Sequence, residues 1–161
     1  MKKSTMRTSR QESGRRSFLW SAALGSAGAL LAPGVADAAE WGPTEKANVK
    51  IVNDFCAAVS MREPARVLAF FTDDLVYRPT ETTEAVRGRD ALAATVAKWS
   101  NPADRMEFRV LETFATGPIV INHRIDEISG SRRMRWDGVG VFFVKDGKIK
   151  EWSDYTISLE R

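Results

Sequence analysis

The chain has 161 residues, of which 43% are hydrophobic and 28% charged, with one cysteine and one histidine. These proportions are typical of one globular domain and exclude a disordered acidic chain, a collagen-like repeat and a disulfide scaffold. The formal charge of +3 comes from residues 1–38, which hold six basic and two acidic side chains. The remainder has 18 basic and 19 acidic residues, so its charge gives no support for nucleic-acid binding.

Residues 1–38 have the pattern of a cleavable export signal. A basic stretch precedes an apolar run at 18–32 and the small-residue site at 36–38 (ADA). The run is shorter than the roughly twenty apolar residues of a membrane-spanning helix, which disfavours an anchor, although an uncleaved signal stays open. Residues 14–19 (GRRSFL) resemble the twin-arginine motif, which implies export of a folded protein to a bacterial periplasm or beyond. An ordinary secretory signal is the alternative.

Three helices and one short strand are predicted in the first part of the body, after a linker at 39–44. Helical spacing of apolar residues predicts helices at 45–61, with Thr44 as N-cap, and at 65–71, with Pro64 in the first turn. Residues 72–74 are predicted to form a turn, 75–78 a short strand and 79–87 a loop. The third helix opens at 88–90, with Asp90 as N-cap, and continues to Trp99.

Four longer strands are predicted to complete a domain that spans residues 45–161. The strands are 105–116, 119–128, 132–145 and 148–159, joined by turns that contain glycine. In the first of them the expected apolar side consists of Met106, Phe108, Val110 and Leu111. Gly138 and Gly140 would permit curvature or a bulge in the third. The order predicts an α+β fold in which a curved antiparallel sheet, with three helices packed on one face, forms a cone with an internal pocket.

Ionisable residues in the middle of these strands are candidates for a site in that pocket. Arg124 and Asp126 are two residues apart and therefore share one face of their strand. Asp154 and Trp152 share a face in the last strand, and Tyr77 lies in the first. On an inner face, the arginine would donate to both carboxylates, whose protonation states could then diverge. On an outer face, the same spacing is only a solvent-exposed ion pair.

Other polar and aromatic residues are interpreted as structural. Cys56 is expected to be a small buried residue rather than a nucleophile, and His123 to face out of the pocket. Asn122 has no evident role, and the face that Asp137 takes stays open. The residues expected to line the substrate pocket are Trp152, Trp99 and Phe142. A single histidine excludes a zinc site built from several imidazoles.

Three stretches together resemble the limonene-1,2-epoxide hydrolase family. They are residues 123–126 (HRID), 140–149 (GVFFVKDGKI) and 152–155 (WSDY). The resemblance covers roughly 45–159 and extends to the nuclear-transport-factor-2-like superfamily, which includes SnoaL-like polyketide cyclases and ketosteroid isomerases. The Arg-x-Asp and Trp-x-Asp-Tyr strands are the parts most specific for the epoxide hydrolase branch.

The resemblance implies a role for each candidate residue. Asp154 resembles the general base that deprotonates water, Asp126 the general acid that protonates the epoxide oxygen, and Arg124 the bridge between them. Tyr77 resembles the phenol that helps to hold the water. Pro79 stands where the family has an asparagine that also holds the water, and Thr80 or Thr82 is a candidate to compensate. The superfamily further implies a homodimer through the outer sheet face.

The hypothesis is therefore a cofactor-independent hydrolase of a small lipophilic epoxide. The alternatives are an isomerase or cyclase of the same fold, in which Asp126 or Asp154 moves a proton, and a non-catalytic binder of a lipophilic molecule. The expected partners are that small molecule, a second copy of the chain and the export machinery. Neither nucleic acid nor, after cleavage of the signal, a membrane is expected as a partner.

Overall fold

The computed structural model describes residues 40–61, 63–99, 104–131 and 133–159, and the predicted export signal lies outside them. The helices in this part are α1 (Pro43–Ser60), α2 (Pro64–Ala69) and α3 (Arg89–Trp99). The strands are β1 (Phe71–Arg78), β2 (Val86–Arg87), β3 (Asp104–Thr116), β4 (Ile119–Gly130), β5 (Met134–Lys145) and β6 (Lys148–Ser158). No helix in the described part combines the length and apolarity needed to cross a membrane.

The six strands described form one sheet in the order β2-β1-β6-β5-β4-β3. Consecutive strands from β3 to β6 pair antiparallel, as the meander predicted. The α+β class is thus confirmed, with one difference: β1 pairs parallel to β6, which makes the sheet mixed. A parallel pair requires a long crossover, and α3 with the four intervening strands β2 to β5 supplies one between β1 and β6.

Irregular pairing bends the sheet at three places. The register shifts between Phe71 and Val76, between Val110 and Glu112, and between Phe143 and Val144. Each extra residue increases the local twist and bends its strand. Leu111 is the residue skipped in the β3–β4 pairing and is 44% exposed, so its predicted place on the apolar side is wrong.

The predicted helix starts are late by one or two residues. Pro43 occupies the first turn of α1 and Gly42 is the N-cap, so Thr44 lies inside the helix. Likewise, α3 begins at Arg89 and Asp90 lies in its first turn. The predicted turn at 72–74 belongs to β1, which begins at Phe71. Threonine and aspartate are common both at the N-cap and in the first turn of a helix. The sequence alone therefore does not fix which of these positions each residue takes.

Phe55 joins α1 to the inner face of the sheet. Its ring lies at 5.0–6.3 Å, edge to face, from the rings of Trp152, Phe71, Phe142, Phe108 and Phe70. Such edge-to-face pairs add to the free energy of burying each ring. Rings from β1, β3, β5 and β6 therefore form an aromatic core on the inner face of the sheet, and a charged group buried in that core is removed from water.

Candidate active site

Arg124 is completely buried and is hydrogen-bonded through three of its nitrogens. Nε donates to Asp126 Oδ1 at 2.8 Å, Nη2 to Asp154 Oδ1 at 2.6 Å, and Nη1 to Asn122 Oδ1 at 3.1 Å. Asp126 and Asp154 are themselves only 5% and 4% exposed. The alternative of a solvent-exposed ion pair is therefore wrong, and the predicted carboxylate–arginine–carboxylate group lies on the inner face.

Strand register brings the two carboxylates to opposite sides of Arg124. Asn122, Arg124 and Asp126 alternate along β4 and point inward. Asn122 pairs with Gly140 of β5, and Gly140 pairs in turn with Asp154 of β6. The guanidinium therefore crosses β5 to reach β6.

Gly140 provides the space for that crossing. A Cβ atom at this position would lie 2.1 Å from Arg124 Nη1 and 2.9 Å from Asn122 Oδ1. At Gly138 the nearest atom would be the Thr156 methyl carbon, at 3.1 Å. The two glycines were expected to allow curvature or a bulge, but the register shift in the β5–β6 pairing lies between Phe143 and Val144, where the extra residue is Lys150 of β6. What the site requires of Gly140 is the absence of a side chain.

Trp152 and Tyr77 complete the surroundings of Asp154. Trp152 Nε1 donates to Asp154 Oδ1 at 2.6 Å, and the Tyr77 hydroxyl lies 3.4 Å from Oδ2. The two rings stack on each other with centroids 3.9 Å apart. Arg124 also lies over the ring of Phe108, 4.7 Å from its centroid. Donors around the carboxylate and an aromatic face at the cation together offset part of the cost of burial.

Burial raises the pKa of both carboxyls in spite of the arginine. The pKa of Asp154 rises to about 6 because its burial outweighs the attraction of Arg124, and the pKa of Asp126 is raised for the same reason. Burial opposes the charge on Arg124, but Asp154 and Asp126 outweigh it and raise the pKa of the guanidinium. One permanent cation thus lies between two acids, an arrangement that favours a single shared proton.

The two acids differ in the hydrogen-bond donors that surround them. Asp154 accepts from Arg124, Trp152 and Tyr77. Among the contacts of the described residues, Asp126 accepts from Arg124 alone. Donors stabilise an ionised carboxylate, whereas the deeper burial of Asp154 opposes its ionisation. At Asp154 the donors and the burial therefore act in opposite directions on the proton that the pair shares.

A cavity of about 190 Å³ opens beside the two acids. Its polar lining residues are Asp126, Asp154, Tyr77, Thr80 and Thr156. Its apolar lining residues are Pro79, Trp99, Met106, Phe108 and Trp136. A few convergent polar groups in an otherwise aromatic cavity are the usual composition of a small-molecule site.

Of the three residues predicted to line the pocket, only Trp99 does so. Trp152 and Phe142 are 0% exposed and present no surface to the cavity. Their rings stack on each other and face Phe55 of α1. The prediction of Trp152 and Phe142 as pocket residues is therefore wrong, because alternation identifies the inner face but not the part of it that a helix covers.

The remaining polar residues fall where the alternation of β4 and β5 places them. His123 faces away from the cavity, as predicted, and its Nε2 lies 2.7 Å from Asp137 Oδ1. Asp137 therefore belongs to the outer face. Cys56 is buried, as expected. Asn122 is the residue that the sequence interpretation missed, although its position two residues before Arg124 places it on the same face.

The site has no evident metal-binding set. Both carboxylates already bind Arg124. Within the described ranges, no three His, Cys, Asp or Glu side chains are grouped as a metal ion would require. The chemistry available to these residues is proton transfer beside an apolar cavity.

Comparison with known proteins assigns the fold to a family. The SnoaL-like domain matches residues 52–152, which is more than half of the chain. The chain belongs to the SnoaL-like domain family. The match ends at Trp152, so Asp154 lies two residues beyond the matched range.

Solved structures of this fold include an LEH-like epoxide hydrolase from M. tuberculosis. It is 27% identical, with a TM-score of 0.65, over 71% of this chain and 86% of its own. An NTF2-like protein from Burkholderia xenovorans LB400 is 26% identical, with a TM-score of 0.59, over 72% and 93%. An epoxide hydrolase/cyclase-like enzyme of pyran ring formation in salinomycin is 18% identical, with a TM-score of 0.62, over 70% and 92%. The last of these shows likeness of fold alone.

The raised pKa of Asp154 predicts a pH-dependent stability. Because the folded-state pKa of about 6 exceeds the ordinary value of 3.8, the bound proton stabilises the fold. This stabilisation, about 3 kcal/mol for a shift of that size, is complete below about pH 4 and is lost as the pH rises through about 6. Asp154→Asn removes the titrating group, so the variant should gain stability relative to the wild type from pH 4 to 7.

Urea unfolding of both proteins at each pH measures this difference. Asp73→Asn is the matched control, because the Asp73 side chain is 90% exposed. A difference between wild type and Asp154→Asn that stays constant across this pH range would contradict the assignment.

Proposed function

We propose that the protein opens a small lipophilic epoxide with water, without a cofactor. The observation that carries the proposal is a buried arginine joined to two carboxylates beside an aromatic cavity. Opening an unactivated epoxide requires a base for water and an acid for the ring oxygen at the same time. A pair of acids that shares one proton can supply both.

In this mechanism Asp154 is the general base. Its carboxylate is held ionised by donors from Arg124 and Trp152 through Oδ1. Its Oδ2 and the Tyr77 hydroxyl are 3.4 Å apart, so both groups can contact one water that enters beside them. Asp154 takes a proton from that water as the water oxygen attacks an epoxide carbon.

Asp126 is the general acid. As the carbon–oxygen bond of the ring breaks, Asp126 gives its proton to the leaving oxygen, and the product is a diol. The proton acquired by Asp154 then replaces the one that Asp126 lost, which restores the starting state. Arg124 contacts both carboxylates throughout, so it stabilises whichever of them is ionised at each stage.

The cavity limits the substrate to a small, uncharged molecule. Its volume of about 190 Å³ is below the range of about 300–1,000 Å³ that is usual for ligand sites. The apolar walls of Trp99, Met106, Phe108 and Trp136 favour a lipophilic skeleton over a charged one. The similarity to an LEH-like epoxide hydrolase supports the same reaction class.

A second candidate is an isomerase or cyclase in which no external water attacks. Pro79 lines the cavity two residues after Tyr77 and has no side-chain donor with which to hold a water. The Thr80 hydroxyl accepts from Thr83 N–H at 3.1 Å and hydrogen-bonds to Thr83 Oγ1 at 2.7 Å. Because these contacts occupy it within its own turn, Thr80 does not replace an amide there. This observation favours a reaction in which the substrate carries its own nucleophile.

A non-catalytic binding function explains the buried acids less well. Removing two carboxylates and a guanidinium from water is costly, and apolar residues of similar volume are often as stable or more stable in such a place. A binder of lipophilic molecules would gain nothing from this cost.

Substitution of each acid tests the catalytic proposal. On a panel of small lipophilic epoxides, Asp126→Asn and Asp154→Asn should each lower kcat/KM by ~100-fold or more, the range for losing a positioned acid or base. Asp137→Asn on the outer face is the control. Single turnover in ¹⁸O-labelled water should place label directly in the diol. An unlabelled first-turnover product, or full activity in either acid variant, would contradict the mechanism.

Pro79→Asn separates the two candidate reactions. If water is the nucleophile and the water site lacks only an amide, the variant should hydrolyse simple epoxides faster than the wild type. If both forms leave simple epoxides intact but convert hydroxy-epoxides into cyclic ethers, the second candidate is correct.

We also propose that the protein is exported after cleavage near Ala39 and assembles as a homodimer. The apolar residues Phe114, Tyr155 and Ile157 on the outer sheet face are 59%, 49% and 73% exposed, which supports burial against a second copy. N-terminal sequencing of exported protein and sedimentation of wild type against Ile157→Glu test the two proposals. An N-terminus at Met1 contradicts the first, and a monomeric wild type contradicts the second.

A further inference from the structure

The third nitrogen of Arg124 has a partner that the proposed reaction does not use. Asn122 Oδ1 accepts from Nη1, and the Asn122 side chain is 0% exposed. Its other end donates from Nδ2 to Cys56 Sγ at 3.5 Å. Burial raises the pKa of Cys56 to about 12, so the thiol is neutral. The contact with the thiol fixes the amide with its oxygen toward the guanidinium and its nitrogen away from it.

The geometry leaves this contact no room to rearrange. A Cβ at Gly140 would lie 2.1 Å from Arg124 Nη1 and 2.9 Å from Asn122 Oδ1, so the hydrogen bond runs directly over the glycine backbone. The guanidinium is therefore held between β5 below it and the ring of Phe108, 4.7 Å away. Asn122 fixes where the guanidinium lies between these two surfaces.

The neutral charge of Asn122 also matters. The ionisable groups that face this position are Arg124, Cys56, Asp126 and Asp154, with Tyr77 beyond Asp154. Among them the guanidinium is the one permanent cation, and the two carboxylates compete for a single proton. An aspartate at position 122 would have almost the same shape as asparagine but would add a third carboxylate.

We propose that Asn122 is a positioning residue, which fixes the Arg124 guanidinium between the two acids and, by being neutral, keeps the site at two carboxylates that share one proton. The effect of Asn122 on turnover rests on the proposed function. Its effects on the position of the guanidinium and on the charge balance of the site do not. Asn122 touches no reacting atom and acts through Arg124.

Asn122→Asp tests the charge balance. A third carboxylate on the same cation should raise the titration midpoint of Asp154, measured by ¹³C NMR of the carboxyl carbons, by about one pH unit or more above the wild-type value. Asp154→Asn identifies the resonance. The pH profile of kcat/KM should move in the same direction. A midpoint and a profile identical to those of the wild type would overturn the proposal.

Gly140→Ala tests the position of the guanidinium without changing any charge. It replaces Asn122→Asp as the test if that variant does not fold. The added methyl should separate Nη1 from Asn122 and lower kcat by tenfold or more, with KM changed less than threefold. Gly138→Ala is the matched control on the same face of β5. Equal kcat values for the two alanine variants and the wild type would overturn the proposal, and so would an equal loss in both variants.

The carboxyl titration needs no substrate, so it separates this inference from the proposed function. If the wild type opens no epoxide and the Asp154 midpoint still rises in Asn122→Asp, the proposed function fails and the role of Asn122 stands. If the wild type is active and the midpoint does not move, the role of Asn122 fails and the proposed function stands.

Discussion

The structure depends on the burial of one guanidinium inside an aromatic core. A buried charge is tolerated only when its hydrogen bonds and its charge are both compensated. Arg124 meets this condition through Asp126, Asp154 and Asn122, and through the ring of Phe108. Removing any of these hydrogen-bond partners would leave a nitrogen of the guanidinium buried without a hydrogen bond. The strands are thereby held in one register across β4, β5 and β6.

The same constraint supports the proposed chemistry. Two carboxylates are needed to surround the cation, but one positive charge cannot fully stabilise two negative ones away from water. A proton is therefore retained near neutral pH, and burial raises the pKa of both acids. Because the cavity opens at Asp126 and Asp154, this proton and the ionised partner face any small molecule that enters. Acid and base are thus present together, as a general acid–base reaction requires.

Much of this site could be predicted from strand alternation. The spacing of Arg124 and Asp126 predicts a shared face, and the final strand supplies Asp154, because the side-chain period of a strand is two. The parallel pairing of β1 with β6 could not be predicted, since it depends on how a long crossover packs. The need for glycine at position 140 was also not predictable, because it arises from a side chain that reaches over a neighbouring strand. Trp152 and Phe142 were misplaced because the sequence does not tell which part of the inner face α1 covers.

The stability of Arg124→Met as a function of pH tests the central claim most directly. At pH 7 the variant leaves a buried acid pair that carries a negative charge without its cation, so its free energy of unfolding should fall by about 3–5 kcal/mol relative to the wild type. At pH 4 both acids can bind protons and need no counter-charge, and most of that loss should disappear. Urea unfolding at the two pH values measures both differences. An equal loss at pH 4 and pH 7, or no loss at either, would contradict the account.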